Sequence, residues 1–205
     1  MKKDSMLYVV LFTFIVCAAF TIILAVANEG TKDLVAANKA FAVQSAVLGA
    51  FGIPFANEAD AASKYASSVT EHGDGAQKTW RAAIDGAEYI ALQQSGAGLW
   101  GTISLIVAAS SDAGRLRGLR VVAQNETPGL GGRIEEPWFL EQYEGERAPG
   151  GRIGMKAGAE ASGKADPDKE NGRVDGISGA TRTSQAFESI VNAALLRFKS
   201  AGGGK

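Results

Sequence analysis

The chain opens on an apolar run, closes on an amphipathic helix and holds strand-like runs between them. From Met6 to Ala27, 22 consecutive residues carry no charge. About 20 apolar residues, rising 1.5 Å each in a helix, cross a hydrocarbon core of about 30 Å. From Thr31 to about Phe55, Ala36, Ala37, Ala40, Phe41, Val43, Ala46, Val47 and Leu48 recur at three- and four-residue steps. That spacing predicts more helix, ended by Gly49, Gly52 and Pro54. Residues 57–80 are Ala- and Ser-rich with a modest helical pattern, and Glu71 to Gly75 reads as a turn holding a solvated His72. Ala87–Leu92, Leu99–Ala108 and Leu116–Gln124 read as strands, separated by Gly96-Ala97-Gly98 and Asp112-Ala113-Gly114 turns. From Thr181 to about Ser200, Phe187, Ile190, Val191, Ala194, Leu195 and Phe198 share one helical face. Strands flanked by helices, without βαβ alternation, predict an α+β fold. The expected layout is an N-terminal transmembrane helix within residues 1–30, one domain over 31–200 with an antiparallel-rich sheet and flanking helices, and a disordered tail over 201–205.

Charge orients the apolar run. Lys2 and Lys3 precede it, while Glu29, Lys32 and Asp33 follow it. An excess of lysine on the N-terminal side keeps that end in the cytoplasm and exports the rest. The expectation is a bacterial inner-membrane protein with one span in lipid and its domain on the periplasmic or extracellular side. Ala25-Val26-Ala27 also has the form of a signal-peptide cleavage site, but the run exceeds the usual h-region. Cys17 sits within it as an apolar membrane residue.

Composition removes other chemistries. The net charge of −1 offers nucleic acid no basic face, so no such partner is expected. One cysteine and one histidine exclude a four-cysteine zinc site, an iron–sulfur cluster and haem attachment, and no metal site is expected. Redox work in the exported part therefore calls for an organic cofactor. Glycine is unevenly spread: 12 of 26 lie in the 51 residues from Gly129 to Gly179.

Two glycine-bearing segments carry candidate chemistry. Asp175-Gly176-Ile177-Ser178-Gly179-Ala180-Thr181-Arg182-Thr183-Ser184 opens the last helix. The first N–H groups of a helix lack internal partners, and the dipole there favours an anion such as phosphate. Equally, Ser178 or Thr181 can serve as an N-cap with no ligand. The second segment, Gln124-Asn125-Glu126-Thr127-Pro128-Gly129-Leu130-Gly131-Gly132-Arg133, follows a strand and contains a tight Pro-Gly turn. It reads either as an ordinary turn or as backbone presented to a flat ring. Trp100 reads as core or as a neighbour of that ring. No G-x-G-x-x-G follows a strand, so no nucleotide site of that kind is present, and Ser178 lacks the G-x-S-x-G setting of a hydrolase nucleophile.

Ser178-Gly179-Ala180-Thr181, preceded by Asp175-Gly176 and followed by Thr183 or Ser184, resembles the flavinylation signature of FMN-binding domains. Such domains occur in the C subunit of the Na+-translocating NADH:quinone reductase and in the G subunit of the related Rnf electron transport complex. Glu126 to Gly131 matches the family's second motif, Glu-Thr-Pro-Gly-Leu-Gly, and Gly98-Leu99-Trp100 and the anchor agree with its plan. The resemblance implies covalent FMN as a phosphoester on Thr181, a separate flavin transferase that uses FAD and Mg2+ and reads Asp175 with Ser178, Gly179 and Ala180, and the other subunits of an ion-translocating redox complex as partners. It implies that Glu126, Thr127, Gly129, Leu130 and Gly131 lie by the isoalloxazine, with Trp100 near it. Arg182 stands where the family more often has an apolar residue, and either pairs with the phosphate or faces solvent. Alternatives are a stand-alone anchored FMN protein and an anchored binding domain without flavin.

Overall fold

A computed structural model describes residues 5–73, 75, 78–156 and 166–202. The chain divides into two compact units, Met1–Ala40 and Phe41–Lys205.

In the first unit the described residues are almost all helix, the beginning of α1 (Met6–Phe51). Its apolar stretch has a mean hydropathy of 2.9 and none of it is buried by protein. Phe12, Phe14, Ile15, Phe20, Ile22, Ile23 and Leu24 all point outward. A patch of this size is not left in water by a soluble protein, and the helix is long and apolar enough to cross a membrane.

The second unit is an α+β domain built on a five-stranded antiparallel sheet in the order β1-β2-β3-β4-β5. The strands are β1 (Thr70–His72), β2 (Thr79–Ile84), β3 (Ala87–Ala97), β4 (Thr102–Ser110) and β5 (Leu116–Ala123). Side chains alternate across a strand, and β4 is buried on both faces. Ile103, Leu105, Val107 and Ala109 pack with α4 (Thr181–Gly202) and α3 (Pro137–Glu141). Ile106 and Ala108 pack with Trp80, Ala91, the end of α1 and α2 (Glu58–Ser68). Burial on both faces is why β4 reads as a nearly unbroken apolar run.

The helices end where local chemistry ends them. Gly52 takes φ +73 after α1, and Ile53 N–H closes back on the Leu48 carbonyl at 2.9 Å, a Schellman stop followed by Pro54. Asn57 caps α2 by accepting from Asp60 N–H at 3.0 Å. The expected face of α4 (Phe187, Ile190, Val191, Ala194, Leu195, Phe198) is buried throughout. Gly96 lets α4 lie close to β3, since a Cβ there would come within 2.5 Å of Ile190.

Several local expectations need correction. The helix after the membrane run stops at Phe51, not near Phe55. Within 57–80, α2 is followed by β1 and the start of β2. Glu71 and His72 are therefore strand residues rather than turn, paired with Trp80 and Thr79, although His72 is exposed as expected. Asp74 of that expected turn lies outside the described residues. Finally, β3 runs through Gly96 and Ala97, and Leu99 and Trp100 form the turn before β4 rather than its beginning. The polar stretch 150–172 includes β6 (Gly154–Lys156), which pairs in parallel with β7 (Arg173–Asp175). Residues 203–205 of the expected tail lie outside the described residues, and α4 runs to Gly202.

Candidate functional site

Three segments distant in sequence meet at the start of α4. The first is the Gly98–Gly101 turn of the β3–β4 hairpin, closed by Gly98 N–H on the Gly101 carbonyl at 2.7 Å. Its Leu99 and Trp100 side chains are 52% and 71% exposed, so Trp100 is not core. The second follows β5. Thr127 to Leu130 is a tight turn, with Leu130 N–H on the Thr127 carbonyl at 3.1 Å and Gly129 at φ +74. Pro at the second position and a positive-φ glycine at the third are the requirements of a type II turn. The third is Gly176 to Ser184, where Ile177 N–H donates to the Ser184 hydroxyl at 3.0 Å and Ala180 N–H to the Ile177 carbonyl at 3.1 Å.

Glu126 joins them. Its Oε1 accepts from Leu99 N–H at 2.9 Å and Trp100 N–H at 3.0 Å, and its Oε2 accepts from the Thr183 hydroxyl at 2.6 Å. Burial pushes the carboxyl pKa up, but the hydrogen bonds from Thr183, Trp100 and Leu99 outweigh it and hold the group below the usual range. The turn leans over the helix start as well: a Cβ on Gly179, itself at φ +80, would touch Leu130 Cδ2 at 3.5 Å.

The sequence-predicted residues separate into two kinds. Thr127, Gly129, Leu130, Trp100, Gly179 and Thr181 are exposed and face a ligand or solvent. Glu126, Gly131, Ala180 and Asp175 are buried and hold the frame, while Ser178 is intermediate. Thr181 is the first residue inside α4 rather than its cap. Of the hydroxyls near it, Thr183 and Ser184 are buried and hydrogen-bonded, whereas Thr181 is open. Arg182 faces solvent beside it.

Asp175 ends β7 and is 7% exposed. Its backbone is held on both sides by Gln142, at 2.7 and 3.1 Å. One carboxylate oxygen, Oδ1, has no hydrogen-bond partner. Burial raises its pKa; Lys156 pulls it down and Asp166 pushes it up.

Two residues of this frame were not among the expected site residues, Leu99 and Thr183. The motif, which admits either Thr183 or Ser184 after Thr181, does not give Thr183 a role of its own. Only its 2.6 Å bond to a carboxylate 57 positions away does so.

The chemistry available is that of an open platform. A cleft of about 70 Å³, lined by Met155, Gly176, Ile177, Thr181, Ser184, Gln185 and Glu188, is too small for a tricyclic ring. A groove of about 680 Å³ lies instead between the end of α1 and β5 and touches none of the predicted site residues. The exposed apolar side chains carried by the three segments are Leu99, Trp100 and Leu130. These side chains offer apolar surface, the glycines leave room, and the hydroxyl is free, so the residues suit a phosphorylated flavin. Among the described residues, no group of histidine, cysteine, aspartate and glutamate is arranged to hold a metal.

Comparison with known proteins agrees. Residues 98–196, which contain every predicted site residue, match the model of the FMN-binding domain. The C subunit of the Na(+)-translocating NADH-quinone reductase of Yersinia pestis is 38% identical over 97 residues, 47% of this chain and 36% of that protein. The same subunit of Vibrio vulnificus (strain YJ016) is 35% identical over 110 residues, 51% of this chain and 40% of that protein. The matched part thus spans well under half the length of these relatives. Among solved structures, the C subunit from Parabacteroides distasonis superposes with a TM-score of 0.63 at 23% identity, covering 78% of this chain and 92% of its own. NqrC of Shewanella oneidensis superposes with a TM-score of 0.68 at 19% identity, covering 82% and 100%. These likenesses bear out the α+β fold and the resemblance carried by the two motifs.

Proposed function

We propose that this protein is a membrane-anchored electron-transfer subunit that carries one FMN, attached covalently through Thr181, within a redox complex of the Na(+)-translocating NADH-quinone reductase type. The observation that carries the reading is the contrast among hydroxyls at the start of α4. Thr181 is open, its neighbours Thr183 and Ser184 are buried and engaged, and the segments bearing the exposed Leu99, Trp100 and Leu130 are tied to the same helix start through Glu126 and Gly179.

When bound, FMN supplies the redox chemistry, and the protein supplies position and potential. The Thr181 hydroxyl provides the ester oxygen. In the transfer the Thr181 oxygen would form a P–O bond to the flavin-side phosphorus of FAD as the pyrophosphate P–O bond breaks, and AMP and the hydroxyl proton would leave. A separate flavin transferase with Mg2+ is the expected catalyst. The remaining phosphate charge then lies at the N-terminus of α4, where the dipole and free N–H groups stabilise an anion. Leu99, Trp100 and Leu130 would offer apolar surface to the ring, and the Thr127 turn would offer its backbone to a polar edge. Residues 1–30 serve as the anchor, with the N-terminus in the cytoplasm and the flavin domain on the other side. Electrons arrive from, and leave to, other subunits.

The test is flavin fluorescence of the denatured full chain on a gel after coexpression with a flavin transferase. Wild type and Thr181→Ser are expected to fluoresce, and Thr181→Ala to be dark. A dark wild type would overturn the proposal. Mild-detergent copurification should recover multi-span subunits; recovery of the chain alone would favour the stand-alone alternative.

A further inference from the structure

Both motifs and the Gly98–Gly101 turn converge on one carboxylate that is itself closed to ligand. Glu126 is 4% exposed. Its Oε1 is occupied by two backbone N–H groups and its Oε2 by the Thr183 hydroxyl. The groups it holds differ in kind. Leu99 and Trp100 turn their side chains to solvent, while Thr183 sits two residues beyond Thr181 in the first turn of α4. Two glycines make room for the carboxylate: a Cβ would come within 2.5 Å of Oε1 at Gly98 and 3.0 Å of Oε2 at Gly131.

We infer that Glu126 is the positioning residue of the flavin site, touching no cofactor itself but fixing the Leu99–Trp100 rim relative to the Thr181 attachment point. The inference rests on the Thr181 reading above and adds the means by which rim and attachment point form one frame before any cofactor arrives. Preorganisation of this kind removes an ordering cost from binding. The same carboxylate stays ionised, because its hydrogen bonds outweigh its burial. A fixed negative charge close to a bound flavin would disfavour adding electrons to it. Glu126 thus couples the geometry of the site to the potential of its cofactor.

The experiment uses the full chain in detergent and reads Glu126→Gln, Glu126→Asp and Glu126→Ala. In a Thr181→Ala background, which holds no covalent flavin, hydrogen exchange at the Leu99 and Trp100 amides is expected to quicken about tenfold in Glu126→Ala, the loss of one hydrogen bond each. In the loaded protein, Glu126→Gln is expected to raise the flavin midpoint potential while keeping covalent loading. Glu126→Asp, which keeps the charge, should stay closer to the wild-type potential than Gln does. Flavin fluorescence anisotropy is expected to fall in Ala and Asp, where the reach is lost. Should Glu126→Ala fail to fold, Thr183→Val removes one donor with the charge retained, and is expected to lower the anisotropy. Unchanged exchange in Ala would overturn the positioning role, and a Gln variant with the wild-type potential would overturn the coupling to potential. A wild type without covalent flavin would sink the cofactor reading instead, and the exchange experiment on the flavin-free chain would still decide whether Glu126 braces the rim.

Discussion

The Thr183 hydroxyl donates to Glu126 Oε2 at 2.6 Å, and through it the first turn of α4 is tied to a segment 57 residues earlier. Both groups are buried, so the bond has no water to replace it. Thr183→Val keeps the shape and removes the donor. It is expected to lower stability by about 1–3 kcal/mol, the cost of a buried acceptor left unpaired. Thr183→Ser keeps the donor and is expected to lose less. Urea unfolding of the full chain in detergent reads the difference, and equal stability of Val and Ser variants would contradict it.

Gly131 and Gly129 lie two residues apart but are needed for different reasons. A Cβ at Gly131 would come within 2.6 Å of Thr183 Oγ1 and 3.0 Å of Glu126 Cβ. Gly131→Ala therefore overpacks the Glu126–Thr183 bond, at about 1–3 kcal/mol, and is expected to reduce flavin loading. Gly129 faces open space, and its φ of +74 is its only demand. Gly129→Ala carries backbone strain of about 1 kcal/mol, with loading retained. Loading measured by in-gel fluorescence should rank Gly129→Ala above Gly131→Ala.

Trp100 is 71% exposed, so its truncation removes little that folding uses. Trp100→Ala is expected to change stability by no more than about 0.5 kcal/mol. An indole beside a flavin quenches its emission, so the flavin quantum yield of the native variant should rise above wild type. No change in quantum yield would remove Trp100 from the rim.

Glu126 and Asp175 predict pH dependences of opposite sign. The folded pKa of Glu126 is depressed, so its contribution is present above the unfolded value of about 4.3 and is lost as pH falls through the folded pKa. Glu126→Gln should thus be less stable than wild type at pH 7, with the gap closing in acid. The folded pKa of Asp175 is raised by burial, so its ionised form costs stability above that pKa, and the cost vanishes on acidification below the unfolded value of about 3.9. Asp175→Asn should be at least as stable as wild type at pH 8, with its advantage shrinking as pH falls. Unfolding curves from about pH 2 to pH 8 check both signs, the Glu126 change falling below about 4.3. Asp175 is also too buried to be read directly by a second protein in this conformation, so a loading defect in Asp175→Asn would act through the frame or an opened state.

Hydrophobic periodicity, a local property, already determined the apolar helix of the first unit, the amphipathic face of α4 and the β4–β5 hairpin, and the two motifs marked out two of the segments that meet at the start of α4. Tertiary structure decided which of their residues present and which brace. Leu99 and Trp100 continue an apolar run and read as strand, but their N–H groups are drawn to a carboxylate 26 and 27 residues away, which turns the backbone and leaves the side chains outside. Thr181 and Thr183 differ by two positions and by nothing in their chemistry. One is open and the other buried because a helix turns about 100° per residue, and only Thr183 meets Glu126. The pairing of one carboxylate with three donors from two other segments is a long-range relation, which no local period encodes, and it sets which hydroxyl is left free.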